Sequence, residues 1–145
     1  MENIIEAINK NWSWSKVEAK RIVQVNQFGN IIFENSKNEY YRICPEELKV
    51  ELIANSNESF ATLLNNPVFL ADWEMKVLVS DSISKLGALD ENEVFCLKLP
   101  GVLGGEYSLD NVGKIILWEL ISLSGQIAFQ TKDLPDGTEF KISVK

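Results

Sequence analysis

LPGVLGGEYSLDN, residues 99–111, is the stretch on which the reading of the fold turns. Three glycines and a proline follow the apolar run VFCLKL (94–99), which reads as a strand, and turn its end into a shaped loop. Past the loop, residues 114–117 read as another short strand. Leu117, Leu120, Ile121, Ser124, Ile127 and Ala128 then trace one face of a helix to about residue 131. Gly125 interrupts that helix at a cost of about 1 kcal/mol relative to alanine, which implies close packing against a neighbour at that point. Asp136 and Gly137 make a turn before Phe140, Ile142 and Val144, an alternating final strand.

Upstream of the loop the periodicities alternate. Ile4, Ile5 and Ile8 share a face of an opening helix, and NWSWS (11–15) breaks the pattern with Trp12 and Trp14, a packed corner. Two β-rich runs, 20–25 and 31–33, are separated by Phe28, Gly29 and Asn30, which suit a hairpin turn, and EYYRI (39–43) reads as a third strand. CPEEL (44–48) offers a proline and acidic residues fit for a helix's first turn, while 49–54 stays open between helix and strand. A short helix is expected over 58–64. Asn66 as cap and Pro67 at the first helical position start a longer one, with Phe69, Leu70, Trp73 and Val77 on one face and an end near Gly87. The order of runs implies one α+β domain over residues 1–145, a mostly antiparallel sheet with helices packed on one face.

Composition removes several classes of function. The 145 residues include no histidine, which eliminates Ser-His-Asp and Cys-His triads, imidazole bases and His-ligated metals; no cofactor is expected. Cys44 and Cys96 are lone thiols on apolar runs, without zinc or redox spacing, and read as buried free cysteines. No run approaches the roughly 18 apolar residues that span a bilayer, and MENIIEAINK lacks the features of a signal peptide, so a cytoplasmic protein without a membrane partner is expected. Charge is uneven. Residues 1–50 hold seven Lys or Arg and seven Asp or Glu, whereas residues 51–145 hold seven against fourteen, so the whole net charge of −7 falls in the later part. Such a chain has no cationic cluster to displace counterions from nucleic acid; a basic protein is its natural complement, and an acidic surface that simply keeps the protein in solution is the alternative.

The glycine loop is not a phosphate cradle. Gly101, Gly104 and Gly105 do not follow GxGxxG spacing, no Lys-Ser or Lys-Thr follows, and Glu106 and Asp110 repel phosphate. Two readings remain: the glycines turn the chain over a sheet edge, or the loop projects Glu106, Tyr107 and Asp110 as a recognition surface.

NWSWS (11–15), FGNIIF (28–33), YYRICPEEL (40–48), FLADWEM (69–75), LPGVLGGEYSLDN (99–111) and GQIAFQTKDLPDG (125–137) together resemble a bacterial family of type VI secretion immunity proteins. The likeness is to the C-terminal domain of immunity proteins that neutralise secreted DNase effectors. It implies an inhibitor, not an enzyme, whose partner is a cognate secreted toxin, a nuclease in the subset with known targets. Longer relatives carry an additional N-terminal, GAD-like region, of which this chain retains the FGNIIF-to-YYRI end. A nuclease that grips DNA has a basic groove, and an acidic inhibitor fills it with carboxylates placed where phosphates would lie. Glu106, Tyr107, Asp110, Asp133 and Asp136 are therefore the leading partner-binding candidates. Asp72 and Glu74 flank a core Trp73, face solvent and rank second. Two rivals stand beside this reading: a cytosolic binding module with no toxin, and a carboxylate hydrolase using Asp72, Glu74 or Asp110. The two-tryptophan corner also leaves room for a homodimer.

Overall fold

Ile31, Ile32 and Phe33 are all fully buried, so the strand they form is covered by apolar side chains on both faces. That local fact organises the molecule. The computed structural model describes residues 2–135, 141 and 144. Strands β1 (Arg21–Val25), β2 (Ile31–Glu34), β3 (Tyr40–Cys44) and β4 (Lys49–Ala54) form an antiparallel sheet in sequence order. The registers Ile31 to Ile43 and Phe33 to Tyr41 put one set of side chains on one face, and Ile32 to Arg42 the other set on the second. Residues 49–54, left open by the sequence, are therefore a strand. A separate antiparallel pair, β5 (Glu93–Leu97) and β6 (Val112–Ile116), flanks the glycine loop.

The α+β class and the antiparallel pairing are as expected. Where one sheet covered on one face is anticipated, the strands divide into two sheets, and helices lie over both faces of the larger. Helices α1 (Glu2–Asn11) and α5 (Leu117–Thr131) pack on one face through Ile8, Trp12 and Ile121 against Ile31, Phe33 and Ile43. Helices α2 (Asn57–Leu63) and α3 (Pro67–Glu74) cover the other, where Phe60 and Trp73 meet Ile32, Tyr40 and Ala54. A third cluster joins α4 (Lys76–Leu86) to the second sheet through Val79, Phe28, Phe95, Leu97 and Val112. The expected turn at Asp136–Gly137 and the final strand lie outside the described residues.

The single long helix expected from Pro67 to Gly87 is corrected. It breaks at Met75, whose φ of 49° is left-handed, and Val77, placed by periodicity on the inner face, is exposed. The break has a physical reason. Trp73 faces the cluster over β2 and β3 while Val79 faces the cluster over β5 and β6, and one straight helix cannot serve both directions. Asn26 secures the junction, its Nδ2 donating to the Trp73 carbonyl at 2.8 Å and its Oδ1 accepting from the backbone N–H groups of Phe28 and Asn30. Asn66 and Pro67 do start α3, with Asn66 Oδ1 accepting from Val68 N at 2.9 Å, and Ser56 and Ser59 form a reciprocal cap on α2.

Gly125 is as close-packed as the sequence implies. A Cβ there would stand 2.5 Å from the Asn11 carbonyl oxygen of α1. Gly125→Ala is therefore expected to destabilise the protein by about 2 kcal/mol despite alanine's better helix propensity, because the crossing must open. Urea denaturation checks it; a midpoint at or above wild type contradicts the close crossing.

Candidate functional site

The loop of residues 98–111 is shaped chiefly by one side chain. Asn111 Oδ1 accepts from Leu99 N at 2.9 Å, while its Nδ2 donates to the carbonyls of Leu99 at 2.9 Å and Glu106 at 3.0 Å. The amide thus acts as a short strand that holds both ends of the loop. Gly105 lies under this clamp, where a Cβ would sit 1.8 Å from the Leu99 carbonyl oxygen, and Gly104 takes a φ of 101° that closes the 3-10 turn Gly101–Leu103. Leu103 packs inward, whereas Val102 is 59% exposed and Leu99 and Tyr107 are each about half exposed. The loop therefore presents apolar side chains among acidic ones.

Tyr107 ties the loop to the 3-10 turn Pro45–Glu47 between β3 and β4: its hydroxyl donates to the Glu47 carboxylate. Burial, the Glu47 hydrogen bond and the nearby Glu46 charge push the Tyr107 hydroxyl above the ordinary tyrosine range, so it remains a protonated donor. Between the turn and the loop runs a polar groove of about 240 Å³, lined by Arg42, Glu46, Glu47, Glu51, Asp72 and Tyr107 among others. Arg42 is the fixed cation of its floor. The guanidinium lies 5.2 Å over the Trp73 ring, donates from Nε to Asn30 Oδ1 at 3.0 Å, and donates from Nη1 to Asp72 Oδ2 at 2.6 Å. Asn30 Nδ2 in turn donates to both oxygens of buried Glu46 at 2.9 Å. Burial and the neighbouring Glu46 charge raise the Cys44 thiol, which stays protonated.

Of the sequence-derived candidates, Tyr107 and Asp72 meet in this groove. Asp72 is solvent-facing as expected, its side chain 70% exposed, but it is held by Arg42. Glu106 is exposed on the same loop. Asp110, 98% exposed, sits on the flank facing α4, paired with Lys85 at 3.2 Å. Glu74 pairs with Lys76 at 3.0 Å and Asp133 with its neighbour Lys132, neither lining the groove. Asp136 lies outside the described residues. Sequence reasoning missed Glu46 and Glu47, which come from the charge-balanced first part of the chain and whose one signal was CPEEL, read as a helix start, and Glu51, the first residue of the acidic part.

Asp72, Glu74 and Asp110, the carboxylates a hydrolase would need, are each bonded to a different cation. Among the described residues no group of three or more His, Cys, Asp or Glu is placed to hold a metal ion. No described helix is long and apolar enough to cross a membrane. Trp73 is core, and Trp12 and Trp14 form the expected corner against α5, donating to the carbonyls of Ile121 at 3.0 Å and Gly125 at 3.2 Å. Cys44 and Cys96 are free, the first buried and the second half-buried.

The α+β scaffold thus sets an acidic groove beside an exposed apolar loop. The chain belongs to a family of type VI secretion immunity proteins: residues 54–128 match the family model described as T6SS immunity protein Tdi1, C-terminal. No curated protein matches the chain. The match runs from the end of β4 through α2, α3, α4 and the glycine loop into α5, and so includes Asp72 and Tyr107. Arg42, Glu46, Glu47 and Glu51 precede it.

Proposed function

We propose that this protein acts in the cytoplasm as an inhibitor that binds a cognate type VI effector, a basic nuclease domain, and neutralises it by occluding its DNA-binding surface. The carrying observation is the juxtaposition of the half-exposed Tyr107 and exposed Val102 with a groove whose carboxylates outnumber its cations. Apolar anchors ringed by acidic groups suit a surface that has evolved to hold phosphates, since the anchors supply affinity and the charges supply rate and orientation. The loop contributes Glu106, Tyr107 and Asp110; Asp72 adds charge from the groove wall, Glu74 and Asp133 add negative charge elsewhere on the surface, and Asp136 is a further candidate by sequence alone. The Asn111 clamp holds the loop's own backbone, so losing the Tyr107 tie to Glu47 and the exposed Asp110–Lys85 pair leaves the domain folded.

Tyr107→Ala combined with Asp110→Ala is therefore expected to weaken effector binding about 30-fold, the scale of one interface hot spot, while the domain stays folded by circular dichroism. Survival of cells expressing the active effector reads the effect in vivo. Full protection by the double variant contradicts the loop as the binding surface.

A further inference from the structure

The outward side of α1 and α5 carries aromatic side chains that the core does not use. Trp118 is 48% exposed and Phe129 53%, and they stand about three helical turns apart, so both lie on one side of α5. Helix α1 runs beside α5 in the same direction, Asn11 against Gly125, and two hollows lie along the seam. The first, of about 370 Å³, is bordered by Glu6, Lys10, Trp118 and Ser122, and the second, of about 450 Å³, by Lys10, Trp14 and Phe129. The seam therefore reads Glu6 beside Trp118, then Lys10, then Trp14 beside Phe129, the last two rings 6.1 Å apart. The charged residues bordering the hollows are one of each sign, Glu6 and Lys10, both exposed and neither in an ion pair among the described residues. A charge-balanced face on a protein of net charge −7 offers a basic effector no complement; it complements a face like itself.

We propose that this face joins two copies of the chain in an isologous dimer, with α5 of one copy lying antiparallel on α5 of the other. A two-fold axis in the plane of the contact, crossing α5 near Ser122, reverses the order of the seam. It carries Trp118 of each copy to within about one helical turn of Phe129 of the other, and sets Glu6 of each opposite Lys10 of the other. Every contact then occurs twice. The aromatic side chains supply the apolar area, and the two Glu6–Lys10 pairs fix the antiparallel register. Lys132 Nζ, 5.7 Å from the Phe129 ring centroid, remains at the rim as a cation beside the incoming indole. Two helices side by side cover about 20 Å by 20 Å, the small end of specific interfaces, so a dissociation constant on the order of micromolar is expected. The hollows share no lining residue with the groove beside Tyr107, and the dimer does not depend on the effector reading.

Sedimentation velocity of the full chain between about 5 and about 500 μM reads the association, and the wild type is expected to pass from monomer to dimer across that range. Trp118→Ala removes an exposed side chain, so the domain stays folded by circular dichroism while association weakens at least about 10-fold. Glu6→Lys and Lys10→Glu, each setting like charges against each other, are expected to weaken it about 10-fold apiece. Combining Glu6→Lys with Lys10→Glu restores wild-type association, because the pairs re-form with their signs exchanged. A wild type that stays monomeric throughout overturns the proposal, as does a dimer that persists unchanged in Trp118→Ala or a combined charge variant as weak as either single one. A monomer whose Trp118→Ala variant loses affinity for the inactivated effector assigns the face to the effector and equally overturns the dimer.

Discussion

Trp12→Ala is expected to destabilise the protein by about 3–5 kcal/mol. Trp12 is fully buried at the end of α1, stacks on Trp14 with ring centroids 5.8 Å apart, and donates its indole N–H to the Ile121 carbonyl of α5. Removing it empties the corner at which α1 and α5 meet the face of the sheet formed by Ile31, Phe33 and Ile43. The expected loss is the usual cost of truncating a large buried aromatic, and a large share of the roughly 5–15 kcal/mol that stabilises a typical domain. Urea denaturation followed by far-ultraviolet circular dichroism measures the loss. Trp14→Ala is the internal comparison, since Trp14 is only partly buried and should cost clearly less. Equal costs for the two would contradict the placement of Trp12 in the main core.

The second large effect is expected at Arg42. Arg42→Met keeps an apolar stem over Trp73 but removes the charge that Asn30 relays to Glu46, so Glu46 is left buried with no cation at either remove. A loss of about 3 kcal/mol is expected, nearly all of it from the buried Glu46 end, because Asp72 is well exposed and can be solvated. Glu46→Gln introduced into the same chain should restore part of that loss by removing the stranded charge. A double-mutant cycle over the four proteins isolates the coupling. Strictly additive losses would show that Arg42 stabilises by packing alone.

Local signals carried much of the fold. Asn66-Pro67, the alternation in EYYRI, the apolar run IIF and the crowded Gly125 each act over a few residues, and each produces the element or contact it implies. The misplaced helix between Pro67 and Gly87 shows where such signals end. Nothing in the spacing of Phe69, Leu70, Trp73 and Val77 reveals that Trp73 and Val79 must face different clusters, since that requirement arises from the division of the strands into two sheets. The site divides in the same way. The loop was legible because glycines and an exposed aromatic announce themselves, whereas Glu47 gains its place only when the β3–β4 turn is carried against Tyr107, 60 residues away. Counting charge on either side of residue 50 directed attention to the later part, while two of the groove's four carboxylates, Glu46 and Glu47, come from the earlier one.

The central claim is that this chain neutralises a basic effector by direct, charge-assisted binding. The most direct test is to purify the tagged protein from cells co-expressing the inactivated effector encoded beside its gene, and to titrate any complex with salt. A one-to-one complex that withstands low salt, loosens progressively as salt rises and blocks DNA binding by the effector is the predicted result. A complex that forms while the effector still binds and cleaves DNA, or no complex at all, would contradict it.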